Sequence, residues 1–393
     1  MPPTADLAPF AKPSLIITVD RLPAWILPAY GATWVAAPAI DALAAQGVVF
    51  DRLLSPRADP WATACDLLGQ GRDSLLAQAA TAGRTVAVVS DQATIVEAVE
   101  LPAGVAVTLV EPVLPAEPAA DEAATNLGRL FAAAEQLLTK QQPALLWVHV
   151  GCLGVAWDAP AELREAYLDP DDPPPPAGCH VPNQAVDATT DPDLLVTLRH
   201  VFAAQVTLLD RCVGRLVLAH RTLARPAGGG LILMAGLRGL PLGLHGWIGG
   251  VSDGPDCQLP FSESIHVPAI LVDPALRMAG QRYGGLATPA DLGATLAELT
   301  SAPVPARSGD DCPRGQSLAG LLADWQVAPR DRVVVRGAAG DAVITPAWHC
   351  IAAHSAEGDA ETLLFAKPDD FFEQANVADR CRDVAEELAG VLR

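Results

Sequence analysis

Short runs of consecutive apolar residues recur along the chain, separated by longer stretches with helical periodicity. Leu15–Asp20 (LIITVD) is continuously apolar and ends in an acid. Thr85–Ser90 (TVAVVS), Ala144–Val150 (ALLWVHV), the run GLILMA ending at Ala235, and Pro268–Asp273 (PAILVD) have the same character. Runs this short with no polar alternation predict strands buried on both faces. Between them, Pro38–Gly47 places proline near a helix start and glycine past its end. Asp121–Gln141 is periodic, with Lys140 in its last turn. Asp191-Pro192 offers an N-cap and a first-turn proline for a helix reaching about Arg221, and Thr288-Pro289 opens another. Strands alternating with helices predict an α/β domain, a mainly parallel sheet covered on both faces. Ligands of such sheets bind beyond the carboxyl ends of the strands.

The pattern changes after about residue 330. RVVVRGAAGDAVITPAWHCIAAH reads as a hairpin around Ala338–Asp341, and Asn376–Arg393 as a terminal helix. The chain is therefore expected to divide into an α/β domain over 1–330 and a small α+β subdomain over 331–393. Residues 169–193, headed by DPDDPPPP, read as a long loop, either a solvated connector or a contact surface. The stretch 231–246, LILMAGLRGLPLGLHG, breaks its apolar run at Leu237-Arg238-Gly239.

Composition narrows the partners. The net charge is −20, so the long-range field repels nucleic acid and anionic membranes. A local basic pocket for a small anion, or a protein partner, remains compatible with it. No run reaches the 18 or so apolar residues of a membrane span. The N-terminal MPPTADLAPFAKP lacks the basic and apolar regions of a signal peptide, so a cytoplasmic location is expected. The eight cysteines stand singly at 65, 152, 179, 212, 257, 312, 350 and 381, without a CxxC pair, and reduced thiols are expected.

Several segments, in order, resemble the sulfatase family of the alkaline phosphatase superfamily. LIITVDRL is similar to its first strand, and YGATWVAAPAIDALAAQGVVFDRLLSPRADPWATACDLLGQG to the stretch leading into its nucleophile motif. LLWVHVGCLGVAWDAP looks like its middle strand, and VTLLDRCVGRL like the helix carrying LDxxVGRL. LILMAGLRGLPLGLHG resembles the strand that ends in a metal-binding Asp-His pair. FSESIHVPAILVDP, GQSLAGLL and LLFAKPDDFFEQANVAD look like later family segments. The resemblance implies an alkaline-phosphatase-like fold. It also implies sulfate-ester hydrolysis by a formylglycine made from the Cys or Ser of C/S-x-P-x-R, with a divalent cation, usually calcium, on three or four carboxylate or amide ligands.

The site residues depart from that pattern. The motif falls on ADPWA, so Ala58 stands at the nucleophile position and Ala62 at the arginine position, while Pro60 is kept. Alanine has no atom with which to attack an ester. Asp20 is the only metal-ligand position kept, and Arg21 follows it. Leu237-Arg238 replace the Asp-His pair, although Gly239, Gly243, His245 and Gly246 survive. The usual C-terminal lysine falls near His349. Calcium wants six to eight oxygens and magnesium six, so no cofactor is expected unless a calcium or magnesium site is rebuilt from other residues.

The remaining candidates each have a plain alternative. Asp59 could act as a carboxylate nucleophile or base, or could form an Asp-Pro turn. His245 could be a general acid, or structural. Arg21, Arg57 and Arg238 cluster at positions around the former metal and nucleophile and could bind a sulfate, phosphate or carboxylate through the planar guanidinium. Alternatively Arg238 or Arg21 fills the metal place and pairs with Asp20. The chain is read as a sulfatase-like protein that is not a metal and formylglycine hydrolase, kept for binding an anion or a partner. The alternative is a sulfuric- or phosphoric-ester hydrolase with a rearranged site.

Overall fold

The computed structural model describes residues 10–250, 258–305, 315–322, 327, 329–354 and 361–392. Cys257, Cys312 and residues 1–9 of the N-terminal stretch lie outside the described residues. In chain order the first elements are β1 (Ser14–Asp20), α1 (Pro38–Ala44), β2 (Val48–Leu54), α2 (Pro60–Leu68), α3 (Leu75–Thr81), β3 (Val86–Ser90), α4 (Ala93–Val99) and β4 (Ala106–Leu109). Next come α5 (Asn126–Gln141), β5 (Leu145–Val150), α6 (Ala161–Glu165), β6 (Asn183–Ala185), α7 (Pro192–Ala224), β7 (Leu231–Arg238) and β8 (Trp247–Gly249). The chain continues through α8 (Ser262–Ile265), β9 (His266–Val267), β10 (Ala269–Val272), β11 (Gln281–Ala287) and α9 (Pro289–Leu299). It ends with β12 (Val333–Arg336), β13 (Gly340–Ile344), β14 (Trp348–Ala353), β15 (Thr362–Ala366) and α10 (Arg382–Leu392).

The main sheet has nine strands in the order β11-β2-β10-β7-β1-β5-β3-β4, with β9 also pairing to β2. β1 lies parallel to both β5 and β7, and β10 runs antiparallel to β7 and β2. Between β7 and β10 the described residues hold β8, the one-turn α8 and β9, with no helix long enough to cover a sheet face as a parallel crossover usually does. Strand alternation explains the unbroken apolar runs. Leu15, Ile17 and Val19 pack in one core with α1, α5 and α7, whereas Ile16, Leu231 and Leu233 pack in the other with α2, α3, α4 and α9. Both faces are dry, so no position along these strands is left for a polar residue facing water.

The terminal sheet is antiparallel, in the order β12-β13-β14-β15. One of its faces meets the main domain through an apolar cluster joining Leu54, Ile265 and Leu286 to Val335, Ile344 and Phe365. Its other face is covered by α10, through Ala385 and Leu388. The terminal helix starts at Arg382, later than the sequence pattern suggests. Asn376 is diverted to receive the backbone N–H groups of Leu364 and Ala378 at 3.0 Å, a local bond of the kind that competes with helix. The helix expected from Asp121 likewise begins at Asn126, where the Thr125 hydroxyl caps it by accepting from Gly128 N–H at 2.9 Å.

Candidate functional site

Asp20 sits at the carboxyl end of β1 and is fully buried. The apolar run opposite does not stop at the Leu237 break. β7 continues through Leu237, which is core, to Arg238. The β1–β7 register slips by one residue between Val19 and Asp20, so Val19 faces Gly236 and Asp20 faces Arg238. That bulge places the guanidinium against the carboxylate. Arg238 Nε donates to Asp20 Oδ1 at 2.7 Å and Nη2 to Oδ2 at 2.9 Å. Arg238 is itself only 1% exposed, so the two form a buried, two-pronged ion pair. Burial alone would raise the Asp20 pKa. The charge and hydrogen bonds of Arg238, then the charges of Arg21 and His149, outweigh it and hold the carboxyl below the usual carboxylate range.

Arg21 follows in a left-handed conformation, φ +64°, and is fully buried. Its guanidinium lies against Gly250, where an added Cβ would come within 2.7 Å of Nη1. Arg57, just past the end of β2, donates from Nε to Asp66 on α2 at 3.0 Å. The three arginines therefore have different settings: Arg238 is clamped on Asp20, Arg21 lies against Gly250, and Arg57 is bonded to α2.

Asp59 is the N-cap of α2. Its side chain accepts from Ala62 N–H at 2.6 Å, and Pro60 takes the first helical position. Both nitrogens of His245 are engaged. Nδ1 meets Glu263 Oε1 at 2.8 Å and Nε2 meets the Phe372 carbonyl at 3.0 Å, with the ring stacked on Phe261 at 3.8 Å. Burial would lower the His245 pKa, but these acceptors, Glu263 foremost, raise it. His149, on β5, lies next to Asp20 in a fully buried chain. Trp147 Nε1–H donates to Thr18 Oγ1, whose hydroxyl donates to His149 Nδ1, and Nε2–H donates to Gln92 Oε1, each at 2.9 Å. Burial pushes its pKa down to about 4, so the ring is neutral near pH 7.

His349 lies buried on β14 and donates from Nδ1 to Glu373 at 2.5 Å. Glu373 also receives Lys367 Nζ at 2.8 Å, Ser262 N–H at 2.8 Å and the Ser262 hydroxyl. Burial opposes its ionisation, and His349 and Lys367 override that, holding it well below the usual range. This hub ties the terminal sheet to α8.

The calcium or magnesium that the fold family implies does not fit these residues. Both Asp20 oxygens are taken by a cation already in place, and no group of three or more His, Cys, Asp or Glu that could hold a metal occurs among the described residues. Arginine is always charged and donates only, so it competes with a metal ion for the carboxylate.

Sequence reasoning did not single out one concave feature near this edge. A cup of about 340 Å³ lies among Trp25, Trp34, Val196, Arg199, His200, Leu244 and Phe372. Trp25 and Trp34 follow the carboxyl end of β1, Leu244 follows that of β7, and Arg199 and His200 lie on α7. The available signal was a pair of tryptophans just past a strand end together with Arg-His near a helix start. These residues are too far apart in sequence for any spacing rule to join them.

No protein-family model and no curated protein sequence matches the chain. Solved structures do. A phosphonate monoester hydrolase of Agrobacterium radiobacter superposes with a TM-score of 0.75 at 17% identity, covering 97% of this chain and 94% of that one. A phosphonate monoester hydrolase from Silicibacter pomeroyi gives 0.67 at 16% identity, covering 97% and 94%. A 2-O GAG sulfatase gives 0.70 at 17% identity, covering 97% and 91%. The chain therefore has the alkaline-phosphatase-like fold shared by sulfatases and phosphonate monoester hydrolases.

Proposed function

We propose that this protein is a sulfatase-fold protein that does not hydrolyse esters and uses the fold to bind a small anion or a partner. The observation that carries this is the buried fork of Arg238 on Asp20, in the place where the fold's hydrolases would hold a metal. A divalent cation there would have to displace a two-pronged pair and would then find a single carboxylate, where calcium or magnesium needs six or more oxygens. The nucleophile position, Ala58, offers no attacking atom. Asp59 is committed to capping α2, and His245 is held by Glu263 and the Phe372 carbonyl. A rearranged hydrolase would need a base and a nucleophile, and the two side chains nearest those roles are both engaged.

Two measurements on the purified protein test this. Elemental analysis is expected to find calcium and magnesium well below one per chain. Assays with 4-nitrophenyl sulfate, 4-nitrophenyl phosphate and a phenylphosphonate ester are expected to show no release above the uncatalysed rate. Stoichiometric metal together with turnover that an Asp20→Asn variant abolishes would overturn the proposal.

A further inference from the structure

A cavity of about 430 Å³ lies where the terminal sheet meets the main domain. Leu54 on β2 and Leu286 on β11 line it from the main sheet, Ile344 and Pro346 line it from the end of β13 and the turn after it, and Phe371 lines it as well. In the main sheet β10 and β7 separate β2 from β1, so this space is set apart from Asp20. The volume falls within the range of small-molecule pockets. Two networks hold the surrounding segments in place. Arg52 spans the junction, donating from Nε to the Gly284 carbonyl at 2.7 Å and from Nη1 to the Pro346 carbonyl at 3.2 Å. Lys367 is fixed by Glu373 at 2.8 Å and by the Asp370 carbonyl at 3.0 Å. Voids of this size are few in a well-packed interior, and here the bonds keep the segments from closing on it.

The lining selects the ligand. Its charged groups are already engaged: Asp51 with Arg282, Lys367 with Glu373, and Arg52 with two carbonyls. A charged ligand would give up its hydration there without a free counter-charge. The aliphatic and aromatic walls favour an apolar body instead. His266 adds one polar contact. It lines the cavity, and its Nε2–H donates to the Asp51 carbonyl at 2.7 Å. Burial pushes its pKa down to about 4, so near pH 7 the ring is neutral and Nδ1 keeps a lone pair for a donor. Gly284 supplies room. It lines the cavity, and an added Cβ there would meet nothing within 4 Å.

We propose that this junction cavity binds an uncharged, mainly apolar small molecule carrying one O–H or N–H donor, the body against Leu54, Leu286, Ile344 and Phe371 and the donor on His266. Such a ligand touches both sheets at once, so binding ties the terminal subdomain to the main domain. The proposal is independent of the non-hydrolytic reading.

Isothermal titration of the full chain with indole and with 1-octanol tests this. The comparisons are 1-methylindole and 1-methoxyoctane, which lack the donor, and indole-3-carboxylate and octanoate, which carry a charge. At least one of the two donor probes is expected to bind, and which one distinguishes a ring from a chain. Its donor-free counterpart should bind roughly three- to ten-fold more weakly, by loss of one hydrogen bond, and its charged counterpart more weakly still. Gly284→Leu sets a side chain in the open space and is expected to abolish binding. Phe371→Ala trims a lining residue that is 37% exposed and should weaken binding several-fold with the fold intact. Leu218→Ala, on the exposed side of α7, should change nothing. Saturating ligand should slow proteolytic cutting near residue 367 several-fold. The proposal is overturned if neither donor probe binds, if a donor-free or charged counterpart binds as tightly, if Gly284→Leu and Phe371→Ala both bind like the parent, or if bound ligand leaves the digestion rate unchanged.

Discussion

At Asp20 the decisive contact follows from a backbone irregularity. Without the register slip, Leu237 would face Asp20 and Arg238 would turn to the opposite face of the sheet. The resemblance to sulfatases sets Arg238 at a position where that family has a metal ligand, but a bulge leaves no mark in residue order. Residue order favours pairing with Asp20 over direct anion binding only because a buried pair needs no ligand, and both stay open until the register is known. The pair also makes a stability prediction. Arg238→Met leaves a buried carboxylate unpaired and is expected to cost about 3–5 kcal/mol in urea unfolding. Replacing both residues, as Asp20→Leu with Arg238→Met, should recover a large part of that loss. A single variant as stable as the parent would show that the pair is not desolvated. His220 gives a second case at this scale. It is 2% exposed, neither ring nitrogen has a partner, and burial pushes its pKa down to about 4. His220→Leu removes two unmet polar atoms and should stabilise the protein by about 1–3 kcal/mol.

Among the elements, those with the strongest local signals were legible. β1, β3, β5 and β7 begin within a residue of their apolar runs, because burial on both faces leaves no competing pattern. β4 and β11 were not legible. β4 is a four-residue edge strand, and β11 (QRYGGLA) carries two adjacent glycines and exposed polar residues. Both take their strand character from the neighbour they pair with. The Glu373 hub was also hidden, since His349, Lys367 and Ser262 come from separate elements with no shared spacing. Glu373→Gln is expected to leave the lysine without its counter-charge and to loosen the terminal sheet from α8. Limited proteolysis should then cut near residue 367 at least several-fold faster. An unchanged digestion rate would assign the attachment to the apolar cluster around Leu54, Leu286 and Phe365 alone.

For the whole molecule, the balance of buried charge sets the response to acid. His149, His220 and His266 are each pushed down to about 4 by burial, while the unfolded chain binds those protons near pH 6.5. Between pH 6.5 and 4 the unfolded state therefore holds more protons, and each histidine removes up to about 1.4 kcal/mol of stability per pH unit as the pH falls. Asp91, pushed up to about 6 by burial, has the opposite sign over its own window, because its folded form takes up a proton first. The contribution of His220 can be isolated by difference. The stability advantage of His220→Leu should widen as the pH drops from 6.5 toward 4 and stay constant above 7. A gap that does not change with pH would mean that the ring titrates in the folded state as it does in the unfolded chain.

The clamp between Asp20 and Arg238 also makes the present state hard to leave by single mutations. A lineage gaining a cation site here would first have to lose the arginine, and that step strands a negative charge in a dry interior before any new ligand can repay the loss. Adding ligands first brings no benefit, since the arginine still fills the space. Losing the arginine first crosses a poorly folding intermediate and adding ligands first gains nothing, so the guanidinium resists replacement by a cation one mutation at a time.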